Sequence, residues 1–94
     1  MNNERDLAEA AARGDHAKRL LEDPVLVEMF TRLEDYYVST WRRSDPSDSP
    51  TRERAYLQIQ LVAELRQQLK VLSENGQLSR SLLDRLRLPR KPNY

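Results

Sequence analysis

Histidine is the rarest of the residue types that could do chemistry in this sequence. The single histidine, His16, lies in an alanine-rich stretch beside Asp15, with Glu22 six residues further on. A metal site or a hydrolytic triad needs several such groups converging on one pocket. One histidine at this spacing does not provide them, and we expect His16 to be an exposed surface residue.

The carboxylates, cysteines and glycines also give no catalytic pattern. Asp45 and Asp48 could begin a calcium loop, but the sharp-turn glycine and the terminal glutamate of such a loop are missing. Glu34 and Asp35 are adjacent, so on a helix they point to different faces and do not form a glycosidase pair. The sequence has no cysteine and only two isolated glycines, which excludes thiolate chemistry, Cys-based metal sites and phosphate-binding loops. We therefore expect no enzymatic activity, metal, cofactor or small-molecule substrate.

The tripeptide Arg13-Gly14-Asp15 spells an integrin-binding motif. So short a motif recurs by chance, and we interpret it as an interruption of a helix. Glycine costs about 1 kcal/mol relative to alanine in a helix interior. The sequence therefore predicts a kink or a helix end at Gly14, with Asp15 capping the helix that follows.

Protein binding is better represented than catalysis. Aromatic residues cluster next to arginine shortly before residue 45, and Trp, Tyr and Arg dominate interface hot spots. The alternative is that these rings close the open end of a helical hairpin. Leucines in the following segment occupy more than one helix face together with Ile59 and Val62, which favours self-association. The candidate protein interface comprises Tyr36, Tyr37, Trp41, Arg42, Leu57, Leu61, Leu65 and Leu69.

Charge is unevenly distributed although the net charge is only +1. Residues 1–23 hold four basic and six acidic side chains, whereas residues 76–94 hold five basic and one acidic. A basic end could bind an anion such as the phosphate backbone of nucleic acid; a solvated terminus is the alternative, because no segment resembles a basic recognition helix. The candidate anion-binding residues are Arg80, Arg85, Arg87, Arg90 and Lys91.

The elements that would position these residues are helices. Fifteen leucines against one isoleucine and five valines favour helix over strand. Apolar residues recur at three- and four-residue steps through most of the chain. The sequence predicts an all-α fold with a single domain over residues 1–87, with helices over about 3–22, 24–43, 51–74 and 78–87, and an extended basic tail over 88–94.

The helix boundaries follow from capping and turn residues. Asp23 before Pro24 predicts a helix start, and Ser49 before Pro50 predicts another after the turn-forming residues 45–50. Gly76 predicts a helix stop, and a continuous helix through Gly76 is the competing interpretation. The short loop predicts an antiparallel hairpin of 24–43 and 51–74, with the N-terminal helix packed alongside and the short C-terminal helix appended. So small a domain is marginal alone, which favours a homo-oligomer held by coiled-coil-like contacts.

The sequence also predicts where the protein resides. Its polar, acidic amino terminus does not have the pattern of a signal peptide, and no apolar run approaches the roughly 20 residues that span a bilayer. We expect a protein that is neither secreted nor associated with a membrane.

Three stretches carry a resemblance: His16 to Pro24 (HAKRLLEDP), the aromatic helix that ends at Trp41-Arg42, and the long segment from Arg52 to Gly76. Residues 16–77 resemble a family of small, largely uncharacterised helical proteins of tailed bacteriophages, encoded near structural or packaging genes. The resemblance supplies no catalytic residues. It implies a homo-oligomeric, virion-associated or assembly accessory protein of the head, neck or packaging machinery, found in the virion or the bacterial cytoplasm, with other phage or host proteins as partners. Two alternatives are a packaging accessory that binds nucleic acid through the basic tail and a small phage protein that inhibits a host enzyme.

Overall fold

A computed structural model describes residues 3–87 of the chain. Three α-helices make up almost all of this range: α1 (Glu4–Glu22), α2 (Pro24–Arg43) and α3 (Ser49–Arg87). No strand occurs among these residues, which confirms the prediction of an all-α fold. None of the three helices has an apolar stretch that could cross a membrane. The predicted tail over residues 88–94 lies outside the described residues.

Side-chain caps start the first two helices. The Asn3 side chain accepts a hydrogen bond from the Asp6 amide at 2.9 Å at the start of α1. The Asp23 carboxylate accepts one from the Leu26 amide at 2.9 Å at the start of α2, where Pro24 occupies the first turn. Asp23 is therefore the only residue between α1 and α2, and α2 begins where the sequence predicts.

The loop after α2 is held by two aspartates. The Asp45 carboxylate accepts hydrogen bonds from the Ser47 hydroxyl at 2.7 Å and the Ser47 amide at 2.8 Å, which lower the pKa of Asp45. Hydrogen bonding from Thr51 likewise lowers the pKa of Asp48, whose carboxylate accepts from the Thr51 amide at 3.3 Å. Asp48, rather than the predicted Ser49, is therefore the cap of α3.

The two shorter helices pack against different halves of α3. α2 runs antiparallel to its N-terminal half, with Trp41 near Arg52 and Glu34 near Arg66. α1 runs antiparallel to its C-terminal half, where Asp15 forms an ion pair with Arg80. The sequence places α1 beside the α2–α3 hairpin, but in the structure α1 continues the line of α2 along α3. The molecule is consequently a rod two helices wide, measuring 77 × 28 × 21 Å.

Gly76 does not end α3, so the helix stop predicted there is wrong and the competing interpretation of a continuous helix is confirmed. Gly14 likewise does not end α1. The two glycines are buried against each other where α1 crosses α3. A Cβ atom on Gly14 would lie 2.8 Å from the Leu72 carbonyl oxygen, and one on Gly76 would lie 2.5 Å from the Gly14 Cα. These glycines therefore permit close backbone approach rather than a turn. Gly14, the central residue of the Arg13-Gly14-Asp15 motif, is therefore helical and buried between α1 and α3.

The two halves of the rod are closed to different extents. Against α1, small residues at the contact bring the helices close, and Ala11 and Ala17 are almost completely buried. Against α2, Phe30 is the only residue of α2 that is buried. The buried apolar side chains among the described residues are Leu7, Ala11, Ala17, Phe30, Ala55, Val62 and Leu83. This is a thin core that contains few large side chains.

We predict that Gly14→Ala destabilises the protein although alanine is the better helix former. The added methyl group meets backbone atoms of α3, so the helices must separate, and we expect the free energy of unfolding to fall by about 2 kcal/mol. Thermal or denaturant unfolding at a fixed protein concentration measures the change. The matched control is Asn75→Ala, which improves helix propensity at an exposed position beside Gly76 and should stabilise slightly. Stabilisation by both substitutions would contradict the close glycine contact.

Candidate protein interface

Three arginines of α3 connect it to the two shorter helices. Arg52, Arg66 and Arg80 are spaced fourteen residues apart, which is four turns of a helix, so they lie nearly in line. The Arg52 guanidinium lies 4.7 Å from the centroid of the Trp41 ring and donates a hydrogen bond to the Ser44 hydroxyl at 3.2 Å. Arg52 thus joins the end of α2 to the first turn of α3.

Arg66 occupies the middle of the rod. Its guanidinium lies 3.1 Å from the Glu34 carboxylate and 5.1 Å from the centroid of the Phe30 ring. Both partners are on α2, so this one side chain makes an ion pair and a cation–π contact across the hairpin. It also fixes which residues of α2 and α3 lie at the same level along the rod.

Each helix touches its neighbour through one row of residues, which we call the contact line. A second set of apolar side chains lies beside this line instead of within it. On α2, Met29, Leu33 and Tyr36 each come one residue before a residue that faces α3, namely Phe30, Glu34 and Tyr37. On α3, Leu61, Leu65 and Leu72 likewise each precede a contact residue, namely Val62, Arg66 and Ser73. We call the set the apolar face, and its members are Val25, Met29, Leu33, Tyr36, Leu57, Leu61, Leu65 and Leu72.

The two parts of the apolar face lie on the same side of the rod. One residue before the contact line is a rotation of about 100° in a right-handed helix, and in two antiparallel helices this rotation leads to the same side of the pair. An open hollow of about 190 Å³ on this side is lined by Tyr37 of α2 and by Gln58, Leu61, Val62 and Leu65 of α3. The α3 leucines therefore border α2, as the rotation requires.

The side chains of the apolar face are well exposed. Leu61 retains 67% of its accessible surface and Leu65 retains 54%. A second hollow, of about 160 Å³, continues on the same side between α1 and α3 and is lined by Leu20, Leu69 and Leu72 together with Ala17 and the polar residues Arg13 and His16. One side of the rod thus presents a long apolar surface interrupted by shallow hollows.

The opposite side of the rod is mostly polar or small. The residues one position after the contact line include Thr31, Asp35 and Arg42 on α2. On α3 they include Gln67 and Glu74. Val27 and Tyr56 are exposed large apolar side chains on that side, and Val71, Leu78, Leu82 and Leu86 of α3 are also exposed without belonging to the apolar face. Apart from the contact line inside the rod, one side of the rod is therefore more apolar than the opposite side.

The residues predicted for the interface fall in different places. Those on the apolar face are Tyr36, Leu57, Leu61 and Leu65. Those at the contact between helices, each bordering a hollow, are Tyr37 and Leu69. Trp41 is stacked against Arg52 at the loop end of the hairpin and keeps 38% of its surface exposed, and Arg42 is exposed on the polar side.

Four members of the face were not predicted from the sequence: Val25, Met29, Leu33 and Leu72. On α2, residues that face α3 and residues that face away form one broad apolar stripe in the sequence. The residues that face α3 are Phe30, Glu34 and Tyr37, and each directly follows a large side chain that faces away from α3. Which residue of each such pair faces α3 can be decided only when the position of the partner helix is known.

The other predicted site residues are not brought together. Arg80 is paired with Asp15, while Arg85 and Arg87 lie in the last turn of α3, and Arg90 and Lys91 lie outside the described residues. His16 is exposed at the edge of the second hollow. Over residues 3–87, no group of three or more histidine or acidic side chains is placed to hold a metal ion.

We predict that Arg52→Lys destabilises the hairpin by about 1 kcal/mol, because lysine cannot stack its planar fork on Trp41 while donating to Ser44. Urea unfolding followed by Trp41 fluorescence measures both the stability and the environment of the ring. Arg54→Lys is the matched control at an exposed position two residues away and should leave stability unchanged. Equal stability of the two variants would show that the stacking contributes nothing.

The chain matches no protein-family model, and comparison with curated proteins and with solved structures found no match.

Proposed function

We propose that this chain is a non-enzymatic helical interaction protein that self-associates through the apolar face. The observation that supports the proposal is the presence of eight exposed large apolar side chains on one side of a rod whose own core is thin. Soluble monomers rarely leave a contiguous apolar patch of this kind open to water, and such patches mark interaction sites. A second copy of the same face is the simplest cover, because most soluble oligomers are homo-oligomers.

The energetics are consistent with such an association. Fully burying a leucine or valine side chain contributes about 1.5–3 kcal/mol. The face residues are already partly covered, so about 1 kcal/mol each is a reasonable remainder, or about 16 kcal/mol for the sixteen side chains of two copies. Association costs roughly 4–15 kcal/mol in lost translational and rotational freedom. The gain is comparable to the upper end of this cost, so a dimer requires that most of the face be covered.

The setting we propose is the assembly of a tailed bacteriophage, as a virion-associated or accessory protein of the head, neck or packaging machinery. The resemblance of residues 16–77 to small phage proteins supports this setting, and the apolar face supports an interaction role within it. A self-associating rod would act by presenting its polar side and its ends to other phage or host proteins.

We predict that Leu65→Glu abolishes self-association without unfolding the rod. Leu65 is more than half exposed in the single chain, so a glutamate there costs the monomer little, whereas in a covered face it buries an unpaired charge. We expect the dissociation constant to rise by about a hundredfold or more, corresponding to roughly 3 kcal/mol. Analytical ultracentrifugation gives the mass, and circular dichroism checks the helix content.

Gln67→Glu is the matched control for this experiment. It introduces the same charge two residues away, on the polar side of α3, and should leave the oligomer intact. A wild-type protein that stays monomeric and folded at high micromolar concentration would remove the proposal. If such a monomer bound random duplex DNA in a salt-sensitive manner, the nucleic-acid alternative would take its place.

A further inference from the structure

We infer that two copies pair side by side with their rods pointing in the same direction, so that α2 of each copy lies on α3 of the other. This inference rests on the proposed self-association and adds its geometry. The result is a four-helix bundle with the two-fold axis parallel to the helices. A symmetric dimer of this kind is isologous, so every contact occurs twice.

A two-fold axis can superpose the apolar face on a second copy of itself in two ways. If the axis runs along the rod, α2 covers α3 of the second copy and the rods are parallel. If the axis runs across the rod, α2 covers α2 and α3 covers α3, and the rods are antiparallel. Apolar contacts alone do not distinguish the two arrangements, because the α2 and α3 parts of the face are both apolar along their length.

The charges at the two edges of the face do distinguish them. Arg32 comes one residue before Leu33, and Glu64 comes one residue before Leu65, so each lies at the outer edge of the face, one on each helix. Both side chains are exposed. Arg32 already pairs along its own helix with Glu28, at 2.7 Å. Glu64 is in none of the four ion pairs found within residues 3–87.

Arg32 and Glu64 also lie at nearly the same level along the rod. Arg66 contacts both Phe30 and Glu34, which places the residue midway between them, Arg32, level with Leu65 and Arg66. This level is close to the middle of the α3 part of the face, which extends from Leu57 to Leu72. Any axis across the rod that keeps the face covered therefore passes near these two charges.

The two arrangements then give opposite electrostatics. With parallel rods, Arg32 of each copy meets Glu64 of the other, forming two attractive pairs at the edges. With antiparallel rods centred on the face, Arg32 meets Arg32 and Glu64 meets Glu64, which places like charges opposite each other at both edges. Charge pairs at an interface rim act chiefly on orientation and specificity, and here they favour the parallel arrangement.

Charge reversal tests this geometry. We expect Arg32→Glu alone and Glu64→Arg alone each to raise the dissociation constant of the dimer about threefold to tenfold at low salt, since exposed pairs contribute about 0.2–1 kcal/mol and there are two of them. The double variant Arg32→Glu with Glu64→Arg should return towards the wild-type value, because both pairs are restored with exchanged signs. In the antiparallel arrangement each single reversal leaves like charges opposite each other, so it should not change the dissociation constant. Single variants that bind as wild type, or a double variant that does not return towards wild type, therefore overturn the parallel arrangement.

Cysteine cross-linking gives a second, independent test, because the natural sequence has no cysteine. Tyr37 shares a hollow with Leu61, so Tyr36 and Leu61 lie at the same level and would meet between copies in the parallel arrangement. Tyr36→Cys and Leu61→Cys proteins, refolded together and oxidised, should give a disulfide-linked dimer that neither gives alone. Leu65→Cys alone should not cross-link.

The outcomes separate the inference from the function on which it rests. A dimer in which Leu65→Cys cross-links with itself, while the mixed pair does not, overturns the parallel arrangement and leaves self-association standing. A wild-type protein that sediments as a monomer removes both.

Discussion

A layer only two helices wide can bury one line of side chains on each helix, and this constraint shapes the whole molecule. Every residue beside that line stays in contact with water unless another surface covers it. In this chain the line itself is thinly filled, and much of its length is occupied by alanine, glycine, serine and arginine instead of large apolar side chains. The large apolar residues of α2 and of the middle of α3 are placed largely beside the line. The rod is therefore built with a second apolar surface that its own fold does not use.

The two halves of the rod meet the constraint differently. Where α1 crosses α3, Gly14 and Gly76 let the backbones approach closely, so small residues are enough to exclude water. Where α2 lies on α3, arginine side chains bridge the helices, with Arg66 covering Phe30 and pairing with Glu34. Arginines of this kind favour one register between the helices. The first half is packed more closely within the chain, and the second leaves most of the apolar face open on one side.

Much of the fold could be predicted from the sequence because it follows from local rules. Leucine content, the Asp23-Pro24 cap and the turn-forming residues before Ser49 predict the helical class, the start of α2 and the loop. The role of the glycines could not be predicted, because Gly76 acts through contact with a residue more than sixty positions away rather than through its own backbone angles. For the same reason, Leu61 and Leu65 could be proposed as interface residues, whereas Met29 and Leu33 were hidden in the stripe that contains Phe30.

The proposed self-association requires that covering the apolar face with a second copy add to the stability of the rod. The midpoint of thermal unfolding, measured by circular dichroism over a hundredfold or greater range of protein concentration, tests this requirement most directly. If folding and association are coupled, mass action makes the midpoint rise steadily with concentration. A midpoint that stays constant over the whole range would contradict self-association, because it would show that a second copy adds nothing to the stability of the fold.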